Sequence, residues 1–321
     1  DGSLAQRIIT EYSGLNLSHP PRVTRTSSAS EALSLLEKRS FDLVITMPHL
    51  EEMDAFSLGV KIRKLKPSVP VNLLAHSPRG VYPPPDDQDP SGIDRVFIWS
   101  GNSDLLLALV KNAEDQLNVD ADTQKARVRV LILVEDSPVY YSSFLPFMYK
   151  EVVQQTLAVL DVGLNEDHRL LRMRTRPKIL LARNYDEAIL FYEKYKSYLL
   201  GVVSDTRFPK NGNIVDDAGL ILLSKIRSEI PNLPLLLISS QPENKEKADK
   251  ISAGFLDKNS TDLLSDMHDF FQTDLGFGEF VFRKPNGQEI DRASDLRTLG
   301  AKLATIPSDS LCYHAVRNHF S

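Results

Sequence analysis

VRVLILVED, residues 128 to 136, sets a β-branched and leucine run, interrupted only by Arg129, directly before two acidic residues, Glu135 and Asp136. A strand that is apolar on both faces belongs inside a parallel sheet covered by helices on either side. Four further short apolar runs follow, at Lys178 to Ala182, Leu199 to Ser204, Pro234 to Ser239 and Gly254 to Leu256. Between them the periodicity turns helical. Asn184 with Glu187 has capping-box spacing ahead of Ala188, Ile189 and Phe191, and Asp217 is placed to cap a helix carrying Leu220, Leu223, Ile226 and Ile230. Strands alternating with helices predict an α/β domain.

The same pattern runs upstream. Strand candidates lie at Arg22 to Arg25, Asp42 to Thr46, Val69 to Leu74 and Arg95 to Trp99; Ser28 with Glu31 forms a capping box, and a helix from Asp104 to Leu117 closes the block. Equivalent points recur at offsets of 156 (Glu31, Glu187), 158 (Met47, Asp205) and 159 (Trp99, Lys258), as an internal duplication requires. The expected fold is two flavodoxin-like (βα)5 domains with parallel five-stranded sheets, followed by a small α+β extension. Residues 1–117 form the first domain, 118–127 a polar linker, 128–275 the second domain, and 276–321 a hairpin with helices. The first domain lacks its opening strand, because Leu4 to Tyr12 reads as its first helix with nothing before it. That strand is interior in the order 2-1-3-4-5. We therefore expect residues upstream of Asp1, and the abrupt close at Ser321 within a helix predicts more chain downstream.

Composition narrows the function classes. With 321 residues, 42% hydrophobic and 25% charged, the chain fits two globular domains and an appendage. No apolar run approaches the roughly 20 residues that a membrane span needs, so a cytoplasmic protein without membrane contact is expected. Cys312 is the only cysteine, which excludes an internal disulfide or a cysteine-based zinc site. A net charge of -5 provides no field for nucleic acid, and from Gly276 onward six Lys or Arg balance five Asp or Glu without a helix-turn-helix pattern.

The chemistry-bearing residues fall at strand ends. Glu135 and Asp136 follow one strand, and Asp205 ends another that the order 2-1-3 places beside it, at the sheet edge where open α/β folds hold their sites. Three converging carboxylates repel one another and raise each other's pKa unless a cation is present, so the cluster calls for a hard divalent ion, Mg2+. Ser239 and Lys258 end two further strands and add a hydroxyl donor and a cation.

In this order the residues resemble the receiver domains of bacterial response regulators. LILVEDS (131–137) is similar to the family's first strand and acidic pair, and VVSDTRFPKNG (202–212) to its acceptor loop, with Pro209 four residues after Asp205. LLLISSQ (235–241) and GFLDKNS (254–260) complete the match, which covers about 128 to 272. The resemblance implies that Asp205 is the phosphoacceptor, and that Glu135, Asp136, Asp205 and the backbone carbonyl of Arg207 hold Mg2+. It implies that Lys258 and Ser239 bind the phosphoryl oxygens, and that Ser239 and Phe255 form the switch. The module would take its phosphoryl group from a histidine kinase or a small-molecule phosphodonor and act on a downstream protein or a covalently linked output domain. It would not be a turnover enzyme. Two departures stand out: Asn259 replaces the family's proline after the lysine, and residues 164–178 are inserted. Arg207 stands where a haloacid dehalogenase-type phosphatase needs its second aspartate, so that chemistry is discounted.

The upstream copy keeps the scaffold and loses the chemistry. DLVITMPHLEEMDAF (42–56) puts Met47 at the acceptor position, and the matching stretches put Ala75 at the hydroxyl and Trp99 at the lysine. We expect Met47 and Trp99 to fill the former pocket, Asp54 to be a solvated loop residue, and this pseudo-receiver to serve as scaffold or homodimer surface. The insertion, with His168, Arg169, Arg172, Arg174, Arg176 and Lys178, reads as a solvated helix face and strand entry ahead of a docking patch, and His314 and His319 as packing or exposed residues. The tail, FVFRKPNGQEI (280–290) as a hairpin and then helices capped by Ser294 and Ser308, ends in IPSDSLCYHAVRNHFS (306–321). That stretch resembles the amino-terminal region of phosphoenolpyruvate synthase and pyruvate phosphate dikinase family proteins, which implies the alternative of a regulatory fragment with scaffolding receivers.

Overall fold

The computed structural model describes residues 2–14, 20–160 and 176–316. The insertion up to residue 175 and His319 lie outside them. Two compact units are present: residues 1–125 with 135–150 and 179–181, and residues 126–134, 151–178 and 182–321.

The first unit opens with α1 (Gly2–Gly14) and α2 (Ala29–Lys38), where Ser28 accepts from the Glu31 N–H and the Glu31 carboxylate accepts from the Ser27 N–H. The capping box therefore closes on Ser27 rather than on the cap residue itself. β1 (Val44–Thr46), β2 (Val71–Ala75) and β3 (Arg95–Ile98) form a parallel sheet of three strands in sequence order, separated first by α3 (Ala55–Leu65). Arg22 to Arg25 is not a strand. Among the described residues the sheet of this unit therefore begins at β1. Leu36, Leu58, Ile62 and Val71 form one apolar cluster of this unit, and Phe56, Leu73 and Val81 belong to a second.

α4 (Asp104–Ala126) runs through the stretch expected to be a linker. Val119 and Thr123, four residues apart, are buried on one face, and the Thr123 hydroxyl donates to the Val119 carbonyl at 2.7 Å. Few apolar residues sufficed there because they recur at helical spacing; Arg127, at φ 53°, then ends the helix.

β4 (Val130–Val134) leads into α5 (Pro138–Leu160), whose first half belongs to the first unit. There it seals the β3 edge: the Tyr141 hydroxyl accepts from Val96 N–H and donates to Val96 C=O, and the Ser142 hydroxyl accepts from Ile98 N–H at 2.9 Å. β5 (Lys178–Ala182) has its central residues sealed likewise. Buried Asp115 accepts from Ile179 N–H at 2.9 Å and from Tyr149, while Arg95 donates to Leu181 C=O at 3.0 Å. Backbone groups that an edge strand would leave open are thus spent on side chains.

The second unit contains α6 (Tyr185–Tyr195), β6 (Leu199–Asp205), the hairpin β7 (Phe208–Lys210) and β8 (Asn213–Val215), and α7 (Ala218–Glu229). β9 (Leu235–Ser239), α8 (Asn244–Lys250), β10 (Gly254–Asp257) and α9 (Leu263–Thr273) follow. The strand order is β10-β9-β6-β4-β5, all registered pairs being parallel, which is 5-4-3-1-2 in order of appearance and therefore flavodoxin-like. β4, β5 and β9 are buried at every residue, as their unbroken apolar runs demanded. Asn184 caps α6 and Glu187 reciprocates on Arg183 N–H. Asp217 occupies its cap position but makes no side-chain bond there.

The extension forms the antiparallel hairpin β11 (Phe280–Arg283) and β12 (Glu289–Ala293), then α10 (Leu296–Leu303) and α11 (Ser308–Val316), around Phe282, Ala293 and Ile306. Asp295, not Ser294, caps α10 by accepting from Thr298 N–H, and Ser308 is the first helical residue rather than a cap. His314 is buried, accepts from Arg283 N–H at 2.8 Å and packs on Phe280, so its role is structural.

Candidate functional site

Register carries the chemical residues to one edge. β6 lies between β4 and β9, and the pairs Val134 with Ser204, Asp205 with Ile238, and Ser239 with Asp257 bring the carboxyl ends of four strands level. Glu135 and Asp136 leave β4 at this level. One oxygen from each of Glu135, Asp136 and Asp205 falls within 4.8 Å of the others. Glu135 and Asp205 are buried and Asp136 is half-buried, and Glu135 is fixed by accepting from Ser137 N–H at 3.1 Å.

Lys258 follows β10 and reaches Asp205 Oδ1 with its ammonium at 3.0 Å, both side chains nearly out of solvent. Thr206 N–H donates to the same carboxylate oxygen at 2.7 Å. Burial pushes the Asp205 carboxyl above its ordinary value, and Lys258, with the Thr206 and Arg207 N–H groups, pulls against that rise without cancelling it. A buried carboxylate paired with a cation, beside two more carboxylates, can engage a metal ion or an anionic group. The all-oxygen donor set suits a hard divalent ion of the magnesium type.

Ser239 is buried and its hydroxyl oxygen accepts from Gln241 N–H at 3.1 Å and from the Asn244 amide at 3.0 Å. Phe255 is half-buried on β10, opposite Leu237. The Arg207 side chain points away into an exposed ion pair with Asp216 at 2.8 Å.

Sequence reasoning missed several supporting residues. Asn259 donates through its amide to Ser240 C=O at 3.0 Å, tying the lysine loop to the serine loop where a proline could not. Gly219 N–H donates to Thr206 C=O at 2.9 Å, and a Cβ there would stand 1.9 Å from the Asp205 carbonyl oxygen. The signal was legible, since a glycine in the first turn of a helix marks a close backbone approach. Asn211 and Gly212, both at positive φ, turn the β7–β8 hairpin; the Asn-Gly pair announces that turn in the sequence.

At the corresponding edge of the first unit the chemistry is gone. Ala75 is buried and Trp99 N–H donates to its carbonyl at 2.7 Å. Met47 is 45% exposed and fills no pocket, contrary to expectation, and the Trp99 ring carries the Arg7 guanidinium at 5.7 Å. Asp54 is not merely solvated: it caps α3, accepting from Ser57 N–H at 2.9 Å and from the Ser57 hydroxyl at 2.6 Å.

The strand order defines a flavodoxin-type α/β fold. No family model matches the chain, and no curated protein does. Among solved structures, a response regulator receiver domain protein from Clostridium thermocellum is 13% identical over 46% of this chain and 95% of its own, with a TM-score of 0.34. A manganese-bound response regulator is 16% identical over 46% and 94%, at 0.28. A probable two-component system response regulator/GGDEF domain protein is 12% identical over 86% and 95%, at 0.36. At such scores these likenesses add nothing to what the strand order establishes.

Proposed function

We propose that the chain is a signal-transduction module of the two-component type in which Asp205 accepts a phosphoryl group. The observation that supports this best is the buried Asp205–Lys258 pair beside Glu135 and Asp136 at the carboxyl edge of a parallel sheet. In the proposed step an Asp205 carboxylate oxygen bonds to phosphorus while the bond from phosphorus to the donor's leaving atom breaks, its electron pair departing with the donor. Lys258 offsets charge on the acceptor, and the Ser239 hydroxyl hydrogen-bonds a phosphoryl oxygen. Mg2+, held by Glu135, Asp136, Asp205 and the Arg207 carbonyl, would neutralise the transferring group. Phe255, half-buried on the edge strand, is the aromatic that repacks when Ser239 is engaged.

The donor is a histidine kinase or a small acyl phosphate, and the output is a downstream protein or a linked domain. Residues 1–117 act without chemistry, as scaffold or homodimer surface, ahead of the receiver proper at 128–275. No described helix is long and apolar enough to cross a membrane, and a cytoplasmic setting fits the proposal. The regulatory-fragment alternative rests on the sequence of the tail alone. Intact-mass spectrometry after acetyl phosphate and magnesium tests the reading: one added phosphoryl group is expected, absent from Asp205→Asn and without magnesium. An unlabelled wild type refutes it.

A further inference from the structure

A serine hydroxyl has one proton to donate and two lone pairs to fill. At Ser239 both acceptor positions are taken, by Gln241 N–H and by the Asn244 amide, while among the described residues its own proton meets no acceptor. The residue is 3% exposed. A buried donor left unspent is costly, so the position is prepared for an incoming acceptor atom.

The orientation of Asn244 makes this arrangement strict. Lys247 donates to Asn244 Oδ1 at 2.9 Å, and an ammonium has no other mode. The amide nitrogen must therefore face the other way, toward Ser239 Oγ and Gln241 Oε1, which lies at 3.2 Å. Asn244 is 1% exposed, although it opens a short surface helix among charged residues. Its burial and its three side-chain hydrogen bonds are out of keeping with a residue whose only task is to begin a helix.

We propose that Asn244 is a positioning residue that makes Ser239 an obligate donor, selecting a ligand whose facing atom is an acceptor only, such as an oxygen of a phosphoryl group or another oxyanion. The proposal rests on the phosphoacceptor reading of Asp205 and adds to it the group that sets the polarity of the serine. Asn244→Asp reverses that polarity: a carboxylate cannot donate, so Ser239 turns its proton onto the introduced carboxylate and away from the site. That carboxylate keeps Lys247 as its partner, so the helix start is retained.

The test is the rate of acetyl phosphate labelling, followed by intact mass, in the full chain for wild type, Asn244→Asp, Ser239→Ala and the double variant, with circular dichroism as the check on folding. A lost hydrogen bond to a charged group predicts labelling slowed about 10- to 150-fold in Asn244→Asp. Ser239→Ala should be slowed comparably, and the double variant no further than Ser239→Ala alone. If Asn244→Asp slows labelling equally in the Ser239→Ala background, the effect is one of charge or structure and the positioning role is overturned. An unchanged rate in folded Asn244→Asp overturns it too. Asn244→Leu, which removes the donor without adding charge, decides the matter if the aspartate variant fails to fold. A wild type that takes no label removes the phosphoacceptor reading itself, and the inference with it.

Discussion

Asp205→Asn should make the metal-free protein more stable, because the folded state holds the Asp205 charge against its preference. Each of the two other carboxylates within 4.8 Å repels it by on the order of 3.5 kcal/mol at an effective dielectric of about 20, and Lys258 at 3.0 Å returns about 5.5 kcal/mol. The balance is about 1.5 kcal/mol against the charge before burial is counted. A gain of about 1 to 2 kcal/mol, or a Tm rise of about 2 to 8 °C, is expected at pH 7 in EDTA, measured by thermal denaturation. The pH dependence has a definite sign. Burial raises Asp205 above its unfolded value, so protonation favours the folded state. The wild type gains on the variant as pH falls through that raised pKa, and the difference closes toward acid. Magnesium should reverse the ranking at neutral pH, contributing about 2.7 kcal/mol to the wild type at a hundred times its Kd and less to the variant. An Asp205→Asn protein that is less stable by 1 kcal/mol or more in EDTA would refute the electrostatic account.

Gly219→Ala, with its Cβ 1.9 Å from the Asp205 carbonyl oxygen, should cost about 1 to 3 kcal/mol and, on the proposed function, slow labelling by displacing Asp205; denaturant midpoints and mass spectrometry check both effects. Asn259→Ala should lose about 1 kcal/mol with the Ser240 bond, and Asn259→Pro should not recover it, as paired Tm values would establish. Asp115→Ala leaves the buried Ile179 N–H unpartnered and should cost about 1 to 3 kcal/mol, with hydrogen exchange at Ile179 accelerating relative to the rest of β5.

Much of the second unit was legible because β4, β5 and β9 are buried at every residue and announce themselves as apolar runs. The clustering of Glu135, Asp136, Asp205 and Lys258 was legible through polar residues placed directly at the ends of such runs. What escaped had other causes. The helix through Ala126 is held by two buried positions, too few to stand out in a polar stretch. Arg22 to Arg25 has strand composition but no partner, and pairing is not written in a local segment. Met47 was assigned to a pocket by alignment alone, and alignment does not say which way a side chain faces. The roles of Asn244 and Asn259 were not legible, because they depend on which oxygen lies opposite each amide.

The sealing of the β3 and β5 edges has a practical consequence for anyone who would take this protein apart. A cut at residue 127, where the sequence repeat invites it, removes Tyr141 and Ser142 from the Val96 and Ile98 backbone and Arg95 and Asp115 from β5. Each product would carry a bare strand edge that invites aggregation. The two repeats are therefore not interchangeable cassettes: a chimera that trades one for an ordinary relative must carry the opposing side chains across the junction, or it inherits the open edges.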